Sequence, residues 1–87
     1  MGKLAITVGK KEKHNIIVET AYFTGKFVVY VDEKEVAKAY GRIKDEAVLI
    51  IGEKEKHELK VIAGGLKDLI FGTKISIYLD GKLIATN

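Results

Sequence analysis

The sequence predicts an all-β fold, an eight-stranded antiparallel β-sandwich or flattened barrel built from two four-strand repeats. Three observations carry this expectation. Nineteen of the 87 residues are Ile or Val and none is Pro or Trp, a composition that suits strands. Six-residue segments recur, GKKEKH at Gly9 to His14 and GEKEKH at Gly52 to His57, identical at five positions. Apolar residues alternate with polar ones at the same places in both halves, the period of a pleated strand with one buried face.

A second match extends the repeat: KFVVYVDEKEV (Lys26 to Val36) aligns with KISIYLDGKLI (Lys74 to Ile84) at an offset of 48 residues instead of 43. The slip places an insertion around AGGLKDLIFG in the second half. The repeats span about residues 3–40 and 46–87 of a single domain.

Each repeat reads as four strands. LAITV (Leu4 to Val8) or AVLII (Ala47 to Ile51) leads into the Gly-Lys-Glu turn, and the chain returns as HNIIVET or HELKVIA. After a loop it runs along KFVVYV or KISIYL, turns, and ends as KEVAKAY or KLIATN. Asp80-Gly81 is a two-residue hairpin signal, since both central positions of a type I′ turn need positive φ. Asp32-Glu33 occupies the same place with a less permissive residue, which predicts a wider or strained turn. Gly64-Gly65 reads as a bulge or wide turn, because no phosphate-cradling GK[ST] sequence follows it.

Strand parity assigns the faces. With Asp80-Gly81 as the loop, Ile77 pairs with Ile84 and Tyr78 with Leu83; the first repeat then pairs Val29 with Val36 and Tyr30 with Glu35. The inner layer of the first repeat is Leu4, Ile6, Val8, Ile16, Val18, Phe27, Val29, Val31 and Val36. Its counterpart is Ala47, Leu49, Ile51, Leu59, Val61, Ile75, Ile77, Leu79 and Ile84. Every member is apolar, which predicts two layers around one core.

Composition also limits the chemistry. Without cysteine there is neither a disulfide framework nor a thiolate nucleophile. Fourteen of the fifteen positive residues are Lys, so Arg-fork readout of bases and phosphates is not expected from a net charge of +3. The Lys and Glu content, with no Gln, resembles that of proteins working at high temperature. No apolar run reaches a membrane span and the amino terminus lacks a signal-peptide pattern, so the expected location is the cytoplasm.

The run HNIIVETAYFTGKFVVYVDEKEV (His14 to Val36) resembles the strand, Thr-Gly-Lys loop, strand and Val-Asp hairpin of the Fas apoptosis inhibitory molecule domain. KHELKV and LDGKLI are similar to that family's second half, whereas AKAYGRIKDEA replaces its tryptophan-containing segment after Val36. The resemblance implies an all-β sandwich without a known catalytic centre, used for protein interaction.

Candidate chemistry is sparse. His14 and His57, with Glu12, Glu55 or Glu58, suggest a metal site across a pseudo-twofold axis, but two imidazoles lacking a nearby third ligand favour histidines that bridge core and solvent. No cofactor is expected. Ser76 lies mid-strand with no His close in sequence, and Asp32 and Asp80 are accounted for by their turns, so an enzyme ranks third among the functions. Weak nucleic-acid binding ranks second: Lys10, Lys11 and Lys13 cluster in one turn and Lys54 and Lys56 in its copy, with Tyr30, Tyr40 and Tyr78 as stacking surfaces, although Glu12, Glu53 and Glu55 offset the charge.

The leading expectation is a non-enzymatic module that binds a protein partner or itself. Outward positions of the first repeat are Ala5, Thr7, Ile17, Val28, Tyr30 and Ala37. Those of the second, Val48, Ile50, Ile62, Tyr78 and Leu83, are larger and more apolar, and form a candidate partner-binding patch unless the insertion, residues 64–72, covers it.

Overall fold

A computed structural model describes residues 2–21, 26–40, 44–64 and 74–86. These form eight strands: β1 (Gly2–Val8), β2 (His14–Ala21), β3 (Lys26–Val31), β4 (Lys34–Tyr40), β5 (Lys44–Ile51), β6 (His57–Gly64), β7 (Ile75–Leu79) and β8 (Lys82–Thr86). All pairings are antiparallel between consecutive strands, giving one sheet of order β1-β2-β3-β4 and another of order β5-β6-β7-β8. The described strands therefore make two separate four-stranded sheets, not one closed barrel, and each sheet is one repeat. None of the described residues is helical, and no described helix is long and apolar enough to cross a membrane.

The core is shared. Val8, Ile16, Val18, Phe27 and Val29 from the first sheet pack with Ile51, Leu59, Val61, Ala63, Ile75 and Ile77 from the second. Leu4, Ile6, Val31, Ala47, Leu49 and Leu79 lie half-buried at its margin. Fully burying each large aliphatic chain contributes about 1.5–3 kcal/mol, so this double layer dominates the cohesion of the two sheets. Thr20 continues the inward alternation of β2 and is buried as well.

Two inner positions are corrected. Val36 and Ile84 are not core residues; they are 45% and 40% exposed. The register slips between Val29 and Tyr30 and again between Ile77 and Tyr78, so Val29 opposes Ala37 and Ile77 opposes Ala85. Each slip is a β-bulge in which one strand carries an extra residue, and the extra residues are Val36 and Ile84. Ala37 and Ala85 pack on the core in their place. The Tyr30–Glu35 and Tyr78–Leu83 pairs stand as expected, because they lie between turn and bulge.

Val28 is a third correction, being buried although it points away from the shared core. It sits on an interior strand with Glu19 and Lys38 as cross-strand neighbours, and long side chains on both flanks leave a valine little open surface. The Asp32-Glu33 turn is not wider than its copy. Val31 pairs with Lys34 across it, and both central residues have positive φ, 50° and 70°, against 51° and 82° for Asp80 and Gly81. Glu33 thus holds a conformation that suits glycine, at a cost of about 1–2 kcal/mol. The readings of Gly64-Gly65 and of residues 64–72 fall largely on residues 65–73, outside the described residues.

Candidate functional site

The two repeated Gly-Lys-Glu turns meet at one end of the sandwich and exchange carboxylates. Gly9 and Gly52 open the turns at φ of 101° and 93°; a Cβ on either would stand only 2.0 or 2.1 Å from the backbone oxygen of Glu12 or Glu55. Glycine is therefore required on steric and conformational grounds. Tightly turned in this way, each loop presents its backbone N–H groups to an anion.

That anion comes from the other repeat. Glu12 accepts hydrogen bonds from the N–H groups of Glu53 and Lys54, both at 2.9 Å. Glu55 accepts them from Lys10 at 2.8 Å, Lys11 at 2.7 Å and Glu12 at 3.4 Å. Each carboxylate thus completes the loop of the opposite sheet.

A histidine and an aspartate buttress each glutamate. His14 Nε2 lies 2.5 Å from Glu12 Oε2, and its Nδ1 lies 2.5 Å from Asp32 Oδ2. His57 repeats this with Glu55 Oε2 at 2.5 Å and Asp80 Oδ2 at 2.6 Å. The second oxygens of the aspartates accept the N–H of Asn15 (2.9 Å) and Glu58 (2.8 Å), and the turns are further tied by Asp32 N–H to Asn15 C=O and Asp80 N–H to Glu58 C=O. Two Asp-His-Glu chains result, one per repeat, crossing at the shared end.

The electrostatics follow from these bonds. Donation by Lys54 N–H, His14 and Glu53 N–H lowers the Glu12 carboxyl to about 2, and donation by His57 and the N–H groups of Lys11 and Lys10 does the same for Glu55. Asp32 and Asp80 are lowered by His14 and His57 and then by the backbone donors. Both imidazoles are raised, first by the aspartate and then by the glutamate each faces.

The two histidines considered as metal ligands are engaged within the chain. Both nitrogens of each ring face carboxylates within the chain, and among the described residues no group of three or more His, Asp and Glu is arranged to hold a metal. Asp32 and Asp80 do more than turn the chain, and the cross-repeat role of Glu12 and Glu55 was missed by strand parity. The available signal was that both copies keep the same polar residues, Gly, Glu, Lys, His and Asp, at matching places.

The sequence-predicted lysines are brought together. Lys10, Lys11, Lys13, Lys54 and Lys56 are all exposed on the two touching turns. Tyr30 and Tyr78, half-buried, belong to different sheets, and the Tyr40 side chain lies outside the described residues.

The outer face of the second sheet gathers the other candidates. Val48, Lys60, Tyr78 and Leu83 form one transverse row across β5, β6, β7 and β8. Ile62 lies in the next row between Glu46 and Ser76, and Ile50 sits opposite Glu58. Val48, Ile50 and Leu83 are 55%, 63% and 49% exposed, while Ile62 and Tyr78 are half-buried. Lys60 Nζ pairs with Glu46 Oε1 at 3.4 Å on this face.

Fold and site together define a two-repeat antiparallel β-protein whose sheets share one core and exchange carboxylates at one end. No family model, curated protein or solved structure matches the chain.

Proposed function

We propose that the protein is a non-enzymatic interaction module that associates through the outer face of its second sheet, and that the occupant is a second copy of the chain. One observation carries the reading: Val48 and Ile50 on β5, with Leu83 and Ile84 on β8, leave large aliphatic side chains open on both edge strands of that sheet. Edge strands on soluble proteins are ordinarily guarded by charge, and sheets seldom leave grouped aliphatics wet without a partner. The charges between them favour a copy of the same face. Lys60 and Glu58 are near neighbours on β6, so a twofold arrangement sets Lys60 of one copy against Glu58 of the other. The likeness to the Fas apoptosis inhibitory molecule domain implies the same class of function.

Sedimentation over a range of concentrations tests this. The wild type should associate, Ile50→Lys should be monomeric at unchanged stability, and Thr7→Lys, at the matching position of the first sheet, should associate like the wild type. A wild type that stays monomeric throughout would sink the proposal, and so would equal loss in both variants.

The clustering of Lys10, Lys11, Lys13, Lys54 and Lys56 supports a second reading, weak charge-driven binding of single-stranded nucleic acid at the turn end. Its affinity for a homopolymer should fall steeply, by roughly tenfold or more, between 50 and 200 mM salt. Binding that resists salt or selects a sequence would contradict it.

A further inference from the structure

The crossed Asp-His-Glu chains do something that neither the core nor the outer face requires: they make the contact between the two sheets depend on protons. We propose that the turn end is a proton-operated clasp, closed while each imidazole carries two ring protons and opened when His14 and His57 each release one.

Donor arithmetic leads to this without any titration value. Each imidazole has a carboxylate oxygen 2.5–2.6 Å from both of its nitrogens. A carboxylate only accepts, and a neutral imidazole has a single N–H. Beside ionised carboxylates the neutral ring would set a nitrogen lone pair against an oxygen at one of its two contacts, and that contact must open. Only the imidazolium satisfies both. The backbone donors on Glu12, Glu55, Asp32 and Asp80 keep those carboxylates ionised, so the missing proton cannot come from them.

The charges facing each ring agree. His14 faces Glu12 of its own turn and Asp32 of the β3–β4 turn; His57 faces Glu55 and Asp80. Around them lie exposed Lys10, Lys11 and Lys13, then Lys54, Lys56 and Glu53, with Glu33, Lys34 and Lys82 beside the hairpin turns. The lysines moderate the negative field, but the hydrogen-bonded carboxylates are nearest and hold both imidazoles above their ordinary value.

The direction of the switch follows. A raised native histidine stabilises the fold fully below its unfolded value near 6.5, and this contribution is lost as pH rises through the native value. The lowered carboxylates act oppositely: their contribution is present above about pH 4 and is lost as pH falls towards 2. The clasp is therefore closed below the ordinary histidine value and loosens as pH rises through the raised one. Opening also removes two positive charges from the end that carries the five clustered lysines.

Nitrogen-15 spectra of the intact protein with labelled histidine test the closed state directly. Both rings should titrate with midpoints above 6.5 and carry protons on both nitrogens below them, and Asp32→Asn should lower the midpoint of His14 while leaving that of His57 in place. The unfolding equilibrium constant of the wild type should rise above pH 6.5 by up to about 100-fold per pH unit, two protons being released on unfolding. The His14→Gln/His57→Gln double variant should show no such rise. A midpoint at or below 6.5, or the same alkaline loss in the double variant, would overturn the proposal; the wild-type spectra decide even if the variant does not fold.

Discussion

The two sheets are alike inside and differ outside. In the first, apolar bulk on the outer face lies on the interior strands, as Ile17 and buried Val28, while the edges carry Lys3, Ala5, Thr7, Glu35 and Lys38 with Val36 the one large aliphatic exposed among their described residues. In the second, the interior strands present Glu58, Lys60 and Ser76 beside half-buried Ile62 and Tyr78, and the edges present Val48, Ile50 and Leu83. Position for position, Ile17 becomes Lys60 and Thr7 becomes Ile50. Core packing restrains the inner layer of both copies equally, because any gap there costs contacts. The outer faces carry no such restraint. The first sheet keeps more of the charged or small edge residues that discourage strand pairing, Val36 being its exposed exception, and the proposed binding role rests on this difference.

The largest test of this comparison addresses the side on which the sheets agree. Ile16 and Leu59 are equivalent, fully buried core residues, so Ile16→Ala and Leu59→Ala should each cost about 2–5 kcal/mol in denaturant unfolding. A small cost for one alone would show that the core is not evenly shared. Next come the turn glycines. Gly9→Ala and Gly52→Ala should each lower stability by roughly 3 kcal/mol, since both push a Cβ into backbone at positive φ. Gly52→Ala should be the worse, because its Cβ also stands 2.9 Å from the Glu12 carboxylate of the opposite repeat, against 3.3 Å for Gly9 and Glu55. Equal thermal shifts would mean that the exchanged carboxylates yield easily.

The smallest effect separates the two hairpin turns. Glu33→Gly should stabilise the protein by about 0.5–1 kcal/mol, as relief of positive φ outweighs the added freedom of the unfolded chain. Gly81→Ala should lose about 1 kcal/mol through φ alone, for open space surrounds that position. No gain for Glu33→Gly would show that the glutamate compensates its strain.

Much of the fold was legible because strand parity is strict: residues two apart share a face, so Ile16 and Val18, or Leu59 and Val61, reveal the core by spacing alone. Parity fails where a residue is added. Nothing in KEVAKAY or KLIATN marks Val36 or Ile84 as a bulge, since both are apolar and sit where an unbroken ladder would bury them. Val28 escaped for another reason, its burial being set by neighbours on adjacent strands. The candidate surface residues followed from parity and stand exposed or half-buried on one face, whereas the clasp links residues more than forty positions apart and has no local pattern.

By itself the sequence determined the eight strands, their duplication, the turn positions and most of the inner layer, since these depend on alternation and on turn chemistry within a few residues. Only the tertiary structure decided that the repeats form separate sheets and not one closed barrel, that bulges leave Val36 and Ile84 exposed, and that Glu12 and Glu55 cross between repeats. The first two depend on which strands pair and in what register, and the last on which distant backbone donors come within about 3 Å of a carboxylate, all of which folding alone sets.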